Sequence, residues 1–240
     1  MRYIVSFVLG IIIGSFLNVV IYRTAKEGLK PWDPPYSFCP NCKRKLKWYD
    51  NIPILSYILL KGRCRYCGWR IPARYPVVEI LTGITFFLNS IFIDRILTLI
   101  FSCIAVSALI AISFIDLETY MIPDYLNFTF LGSAIVVALE KFFLDHLISF
   151  IILTFIFLLL KLFYREGLGT GDVILAMGIG FLLTPLPAIL AVLLASISGI
   201  LFVLVKNRGK VDVKAKIPFG PFLSLGGYLL FLVSHAAGWL

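Results

Sequence analysis

Ile96-Leu97-Thr98-Leu99-Ile100-Phe101-Ser102-Cys103-Ile104-Ala105-Val106-Ser107-Ala108-Leu109-Ile110-Ala111-Ile112-Ser113-Phe114-Ile115-Asp116 is a run of twenty uncharged residues closed by an aspartate. As a helix, a run of that length crosses the roughly 30 Å hydrocarbon core of a bilayer. Similar apolar segments recur near 4–22, 77–93, 125–140, 147–164, 173–184, 188–205 and 218–235. They predict an all-α polytopic membrane protein with about eight transmembrane helices. Composition agrees: 60% of the 240 residues are hydrophobic and 15% charged, and mean hydropathy is +0.96. Soluble domains lie nearer half apolar and a quarter charged.

Two of these segments are irregular. The sixth is short and interrupted by Gly178 and Gly180, and the eighth carries Pro218, Pro221 and three glycines. Such residues are tolerated where helices pack on one another or line a cavity. The first run, Ile4 to Ile21, follows Met1-Arg2 and has no small-residue cleavage site before Arg23. It reads as a retained helix rather than a secretion signal. Internal repeats and low-complexity tracts are absent from the sequence.

Charge sets the expected orientation. Twelve Lys/Arg fall in 23–76, Lys161 and Arg165 flank another turn, and five lie in 206–216. With eight spans, 19 of the 22 basic residues share one side, and only Arg2, Arg95 and Lys141 fall on the other. The positive-inside rule makes the basic side cytoplasmic. The net charge of +9 is then a matter of topology and anionic lipid, with no role for nucleic acid. Three regions follow: 1–22 as the first transmembrane helix, 23–76 as a cytoplasmic insert, and 77–240 as the membrane core.

The insert holds Cys39-Pro40-Asn41-Cys42 and Cys64-Arg65-Tyr66-Cys67, two Cys-x-x-Cys pairs 21 residues apart. Each pair can form a knuckle aiming two sulfurs at one ion, and two knuckles complete the tetrathiolate that structural zinc prefers. Two disulfides are the alternative, disfavoured in a reducing cytoplasm. A metal staple also suits an insert too small for a strong core of its own. Lys43, Arg44, Lys45, Lys61, Arg63 and Arg65 would offset the charge of such a centre. Cys103, inside the third span, reads as a packing residue.

The remaining chemistry lies in acids at membrane borders. Asp116 closes its apolar run, and Asp172 ends Gly169-Thr170-Gly171-Asp172 just before another. Ionisable groups in such places raise a functional hypothesis by default. Two carboxyls that meet share a proton, and so hold an acid and a base side by side, the requirement of aspartic proteolysis. Each also fits a plainer role: Asp172 as a helix cap among glycines, Asp116 as a helix-end acid. Asp124 reads as a cap for the fourth span, and Glu118 as a solvated loop acid. His146, in a short outer turn, and His235 read as interfacial, with no triad partner at helical spacing.

Taken together these motifs resemble the bacterial type IV prepilin peptidases, a family of GxGD-type aspartic membrane proteases. The resemblance runs almost end to end. It rests on Gly14-Ser15-Phe16-Leu17-Asn18-Val19-Val20, Ser37-Phe38-Cys39-Pro40-Asn41-Cys42, Asn51-Ile52-Pro53, Lys61-Gly62-Arg63-Cys64-Arg65-Tyr66-Cys67 and Arg74-Tyr75-Pro76-Val77-Val78-Glu79. It continues through Asp116, Ile122-Pro123-Asp124, Gly169-Thr170-Gly171-Asp172 and Ile217-Pro218-Phe219-Gly220-Pro221. One departure is Ala25, where the family usually has proline; it implies a looser start to the insert.

The resemblance implies Asp116 and Asp172 as the catalytic dyad. It implies cleavage of prepilin or pseudopilin leaders after a glycine, at the cytoplasmic face of the bacterial inner membrane. It further implies N-methylation of the new amino terminus with S-adenosylmethionine, associated with Gly62, Arg63 and the Arg74 to Glu79 stretch of the insert. No Rossmann-type glycine turn is present, so that site must be built differently. Glu79 suits an amine or a ribose, and equally an acid at a helix start. Three other functions compete: a presenilin-like protease cutting within a helix, a proton-coupled transporter, and a non-catalytic zinc-stapled secretion scaffold. Transporters of many folds show internal repeats, which are not seen here.

Overall fold

The computed structural model describes residues 1–26, 30–140, 143–164, 168–206 and 217–238. Its regular structure is helical, apart from isolated β-bridges. The chain divides into two compact units, Met1–Ile91 and Phe92–Leu240. Five helices are long and apolar enough to cross a membrane, so this is a multi-pass membrane protein. They are α1 (Arg2–Thr24), α3 (Arg74–Phe92), α4 (Ile96–Thr119), α6 (Phe143–Phe163) and α8 (Pro185–Lys206). Three shorter apolar helices complete the second unit: α5 (Asp124–Leu139), α7 (Thr170–Leu182) and α9 (Gly220–Ala236). Of the basic residues behind the expected orientation, Lys141, Arg165, Arg208, Lys210, Lys214 and Lys216 lie outside the described residues.

In the first unit α1 and α3 approach to backbone contact. A Cβ on Gly10 would sit 2.6 Å from the Thr82 carbonyl oxygen, and one on Gly14 would sit 2.7 Å from Cα of Glu79. Lipid gives apolar helices little reason to associate, so small residues four apart that admit a neighbouring backbone are what seat them. Buried Asn18 ties the pair further, donating from Nδ2 to the Tyr75 carbonyl at 2.9 Å. The insert between these helices contains a 3₁₀ turn, Trp48–Asn51, and one short helix, α2 (Leu55–Leu59). Buried Arg23 fastens its beginning, donating to the carbonyls of Pro31 at 3.2 Å and Tyr36 at 2.9 Å. Ala25 itself caps α1 in a helical conformation; the expected looseness beyond it falls on residues 27–29, outside the described set.

In the second unit α7 is the central element, packed against α5, α6 and α9, while α4 packs on α5 and α9 and α8 on α9. At 13 residues α7 spans only about 20 Å, and eight of its residues are buried. The expected interruption at Gly178 and Gly180 does not occur. The helix runs unbroken because those glycines serve packing: a Cβ on Gly178 would lie 2.4 Å from the Phe130 ring, and one on Gly180 2.6 Å from Cα of Phe150.

Three acid and histidine expectations change. Asp124 is the first residue of α5 and makes no side-chain cap bond; its exposed carboxylate contributes through the helix dipole alone. Glu118 lies within α4 rather than in a loop, because that helix continues to Thr119. His146 is buried, not interfacial, since α6 begins early enough to turn it inward against Phe181 and Leu183.

Gly178→Ala is expected to cost about 1–3 kcal/mol through overpacking against Phe130, read as a lower Tm in detergent. Gly132→Ala, on the open face of α5 with nothing within 4 Å, should leave Tm unchanged or slightly raised.

Candidate active sites and metal centre

The four insert cysteines converge. Their sulfurs all lie within 4.8 Å of one another, with Cys39 Sγ 3.9 Å from Cys67 Sγ. A disulfide needs about 2.05 Å, and all five cysteines of the chain are free. The sulfur edge of a tetrahedral zinc tetrathiolate is about 3.8 Å, given bonds near 2.3 Å, so the spacing suits a single thiophilic ion.

The two knuckles are built alike. The N–H of Lys43 donates to the Cys39 carbonyl at 2.9 Å, and that of Gly68 to the Cys64 carbonyl at 2.9 Å. Each turn then closes with a bond from the first cysteine's N–H, Cys39 to Arg44 at 3.0 Å and Cys64 to Trp69 at 2.8 Å. The residue after each second cysteine is left-handed, Lys43 with φ 58° and Gly68 with φ 70°. Without metal the Cys67 thiol is pulled down to about 6 by the Trp69 backbone N–H and the Asn41 amide, while burial pushes Cys39 up to about 12. Metal binding must therefore displace protons from this site. The basic residues expected to offset its charge are partly engaged elsewhere: Arg44 lies 4.9 Å over the Tyr66 ring and Arg65 pairs with Asp50 at 2.7 Å.

Beside the knuckles is a cavity of about 370 Å³ whose walls are α1, the insert and the head of α3. It includes Cys39, Cys64, Tyr22, Phe38, Tyr57 and Glu79. Glu79 is buried and accepts the Ile54 N–H on Oε2 at 2.7 Å. Of the three residues expected to bind a cofactor, only Glu79 lines this space. Gly62 sits behind Tyr57, where a Cβ would meet that ring at 3.1 Å, and Arg63 is exposed. Tyr57, Ser15 and Asp50 also border the cavity; nothing in their spacing signals it, since they come from separate segments.

In the second unit Asp116 lies three residues before the end of α4 and is 5% exposed. Its Oδ2 accepts the N–H of Gly220, the first residue of α9, at 2.9 Å across 104 positions. A Cβ on Gly220 would stand 2.9 Å from that oxygen, so only glycine lets the carboxylate reach the helix N-terminus. Asp172 is the third residue of α7 and accepts the Gly169 N–H at 3.1 Å, a local bond of the kind expected of a cap. Each carboxylate thus meets the positive end of a helix dipole, Asp172 its own and Asp116 that of α9.

The loop between α4 and α5 brings the two aspartates into one neighbourhood. Ile122 packs against both glycines: its Cβ would be 2.8 Å from a Cβ on Gly171 and its Cδ1 3.3 Å from one on Gly220. Asn127, wholly buried, donates to the Gly171 carbonyl at 3.0 Å and keeps its Oδ1 unpartnered among the described residues. The Ile-Pro-Asp motif marks this loop in the sequence, but the bridging role of Ile122 and the contact of Asn127 were not legible there.

A family model for the bacterial peptidase A24 N-terminal domain matches residues 8–93, and one for the type IV leader peptidase family matches residues 103–204. The type 4 prepilin-like proteins leader peptide-processing enzyme of Escherichia coli O78:H11 is 35% identical over 243 residues, covering 91% of this chain and 89% of the relative. The chain belongs to the type IV leader peptidase family. Its similarity extends to the prepilin leader peptidase/N-methyltransferase of Dickeya chrysanthemi, 31% identical over 96% of this chain and 92% of the relative. The protein of the same name from Myxococcus xanthus is 38% identical over 84% of this chain and 63% of the relative. No solved structure matches. This leader peptidase family member carries both matched regions, the second lying within the unit Phe92–Leu240 and the first covering most of Met1–Ile91.

The purified protein should bring one thiophilic metal ion per chain, and Cys64→Ser should lose it, as read by elemental analysis. Equal metal in the variant would exclude the tetrathiolate.

Proposed function

We propose that this chain removes the leader peptides of type IV prepilins or type II secretion pseudopilins and methylates the amino terminus so exposed. The family membership and the relatives' names support both activities. What supports the peptidase assignment is Ile122 packed against both Gly171, beside Asp172, and Gly220, whose N–H is held by Asp116, with each acid accepting a backbone N–H at a helix N-terminus. One carboxylate takes a proton from the water that attacks the scissile carbonyl of the glycine, while its protonated partner polarises that carbonyl. The roles exchange as the leaving amine is protonated. The N–H of Gly220 holds Asp116 in place, and the free Oδ1 of Asn127 is available to orient water or a substrate amide.

In this reading the five long and three shorter apolar helices are eight spans, and α5, α7 and α9 are short because they line a water-accessible site. The basic segments then face the cytoplasm of a bacterial inner membrane, with both aspartates at that face. The position of Asp116 near the end of α4 and of Asp172 near the start of α7 supports a shared depth.

The first unit is assigned methyl transfer. Its cavity is of ligand size, and aromatic rings with the buried carboxylates of Glu79 and Asp50 suit a cationic sulfonium and an amine. S-adenosylmethionine, when bound, supplies the methyl group. Tyr57 and Glu79 would hold donor and amine, Gly62 would keep the Tyr57 ring in position, and the cysteines would hold a structural zinc at the cavity wall.

Asp116→Asn and Asp172→Asn should each reduce cleavage of a purified prepilin by roughly 10²–10⁴-fold at unchanged expression and Tm. Normal cleavage by either variant would end the two-aspartate mechanism. Tyr57→Ala should depress methylation in the same assay while leaving cleavage intact; equal loss of both activities would remove the division between the units.

A further inference from the structure

One face of a segment in the insert has no role in either activity. Ile52-Pro53-Ile54-Leu55-Ser56-Tyr57-Ile58-Leu59-Leu60 is a nearly continuous apolar run within an otherwise polar segment. It folds around α2, which has two unlike faces. Ser56, Tyr57 and, just past its end, Leu60 line the cavity. Leu55, Ile58 and Leu59, at the three- and four-residue spacing of one helical face, are 48%, 63% and 70% exposed. Apolar side chains of this size are stabilised by leaving water, so presenting three of them to it is unfavourable. Trp48, on the 3₁₀ turn that packs against α2, is 78% exposed.

The depth of α2 is set independently. The N–H of Ile54, immediately before the helix, donates to Glu79, the sixth residue of membrane-crossing α3. Five residues along a helix are roughly 7–8 Å, so this bond holds the start of α2 below the head of α3 rather than above it. Ile54 itself sits at φ 61°, a conformation β-branched residues rarely adopt. Exposed Lys47 and Lys61 flank the apolar stretch, placed to reach anionic headgroups while the aliphatic side chains sink.

We propose that α2 is an interfacial membrane anchor, seating Leu55, Ile58 and Leu59 among the lipid acyl chains just beneath the headgroups. Anionic headgroups meet Lys47 and Lys61 on either side. The anchor brings the cavity on the opposite face of α2 to the membrane surface, where the amino terminus of a membrane-held substrate emerges. The placement rests on α1 and α3 crossing the bilayer and on neither enzymatic assignment.

The test is fluorescence of the full chain carrying Ile58→Trp, reconstituted in phosphatidylcholine and phosphatidylglycerol vesicles. The same vesicles are made with phosphatidylcholine brominated near the headgroup end of its chains. The difference from the parent protein isolates the new indole. The anchor requires that this added emission be blue-shifted, lose most of its intensity to the brominated lipid, and resist aqueous acrylamide. Quenching by acrylamide with none by bromolipid overturns it, placing α2 in water. Protection from both quenchers overturns it as well, placing α2 against protein. Leu59→Trp, with the same readouts, carries the test if Ile58→Trp fails to fold.

Discussion

Each half of this protein is organised around a carboxylate taken out of water and met by one backbone amide from a distant segment. Glu79 accepts the N–H of Ile54 at 2.7 Å, and Asp116 accepts that of Gly220 at 2.9 Å. Burying an acid in apolar surroundings is costly unless its lone pairs find donors. A donor supplied by the main chain fixes a whole element, not a side chain alone. The first bond sets where α2 lies against α3. The second docks the N-terminus of α9 on the end of α4, which is what leaves room for Ile122 between Gly171 and Gly220.

Glycine makes these approaches possible. Gly10 and Gly14 let α1 lie on the backbone of α3, and Gly178 and Gly180 let α7 disappear among α5 and α6. In lipid, where aliphatic surface has little preference for protein over acyl chains, such close contacts carry the association that burial carries in water. A short helix like α7 then survives in a membrane protein because its neighbours, not lipid, surround it. Its N-terminal carboxylate, that of Asp172, is half-buried.

The metal centre works by different physics. Its knuckles repeat the same turn twice, with matching hydrogen bonds and a left-handed residue after each second cysteine. Four sulfurs gathered by local turns need little support from elsewhere, and in return they brace a cavity wall through Cys39 and Cys64. An insert with few buried hydrophobic residues gains rigidity by this route that packing alone would not give.

Local chemistry made much of this readable in advance. Hydropathy and length marked the helices, because crossing a bilayer demands a continuous apolar run. Cys39, Cys42, Cys64 and Cys67 announced one another through spacing, because a chelating turn is a local object. Asp116 and Asp172 stood out because acids at such borders are rare. What the sequence could not show was anything made by pairing across the chain: Ile122 between two glycines, the Gly220 amide on Asp116, and the Ile54 amide on Glu79. Those contacts join residues up to 104 positions apart. Only tertiary structure decides them, because they follow from how the helices pack and leave no periodic trace in the residues that make them.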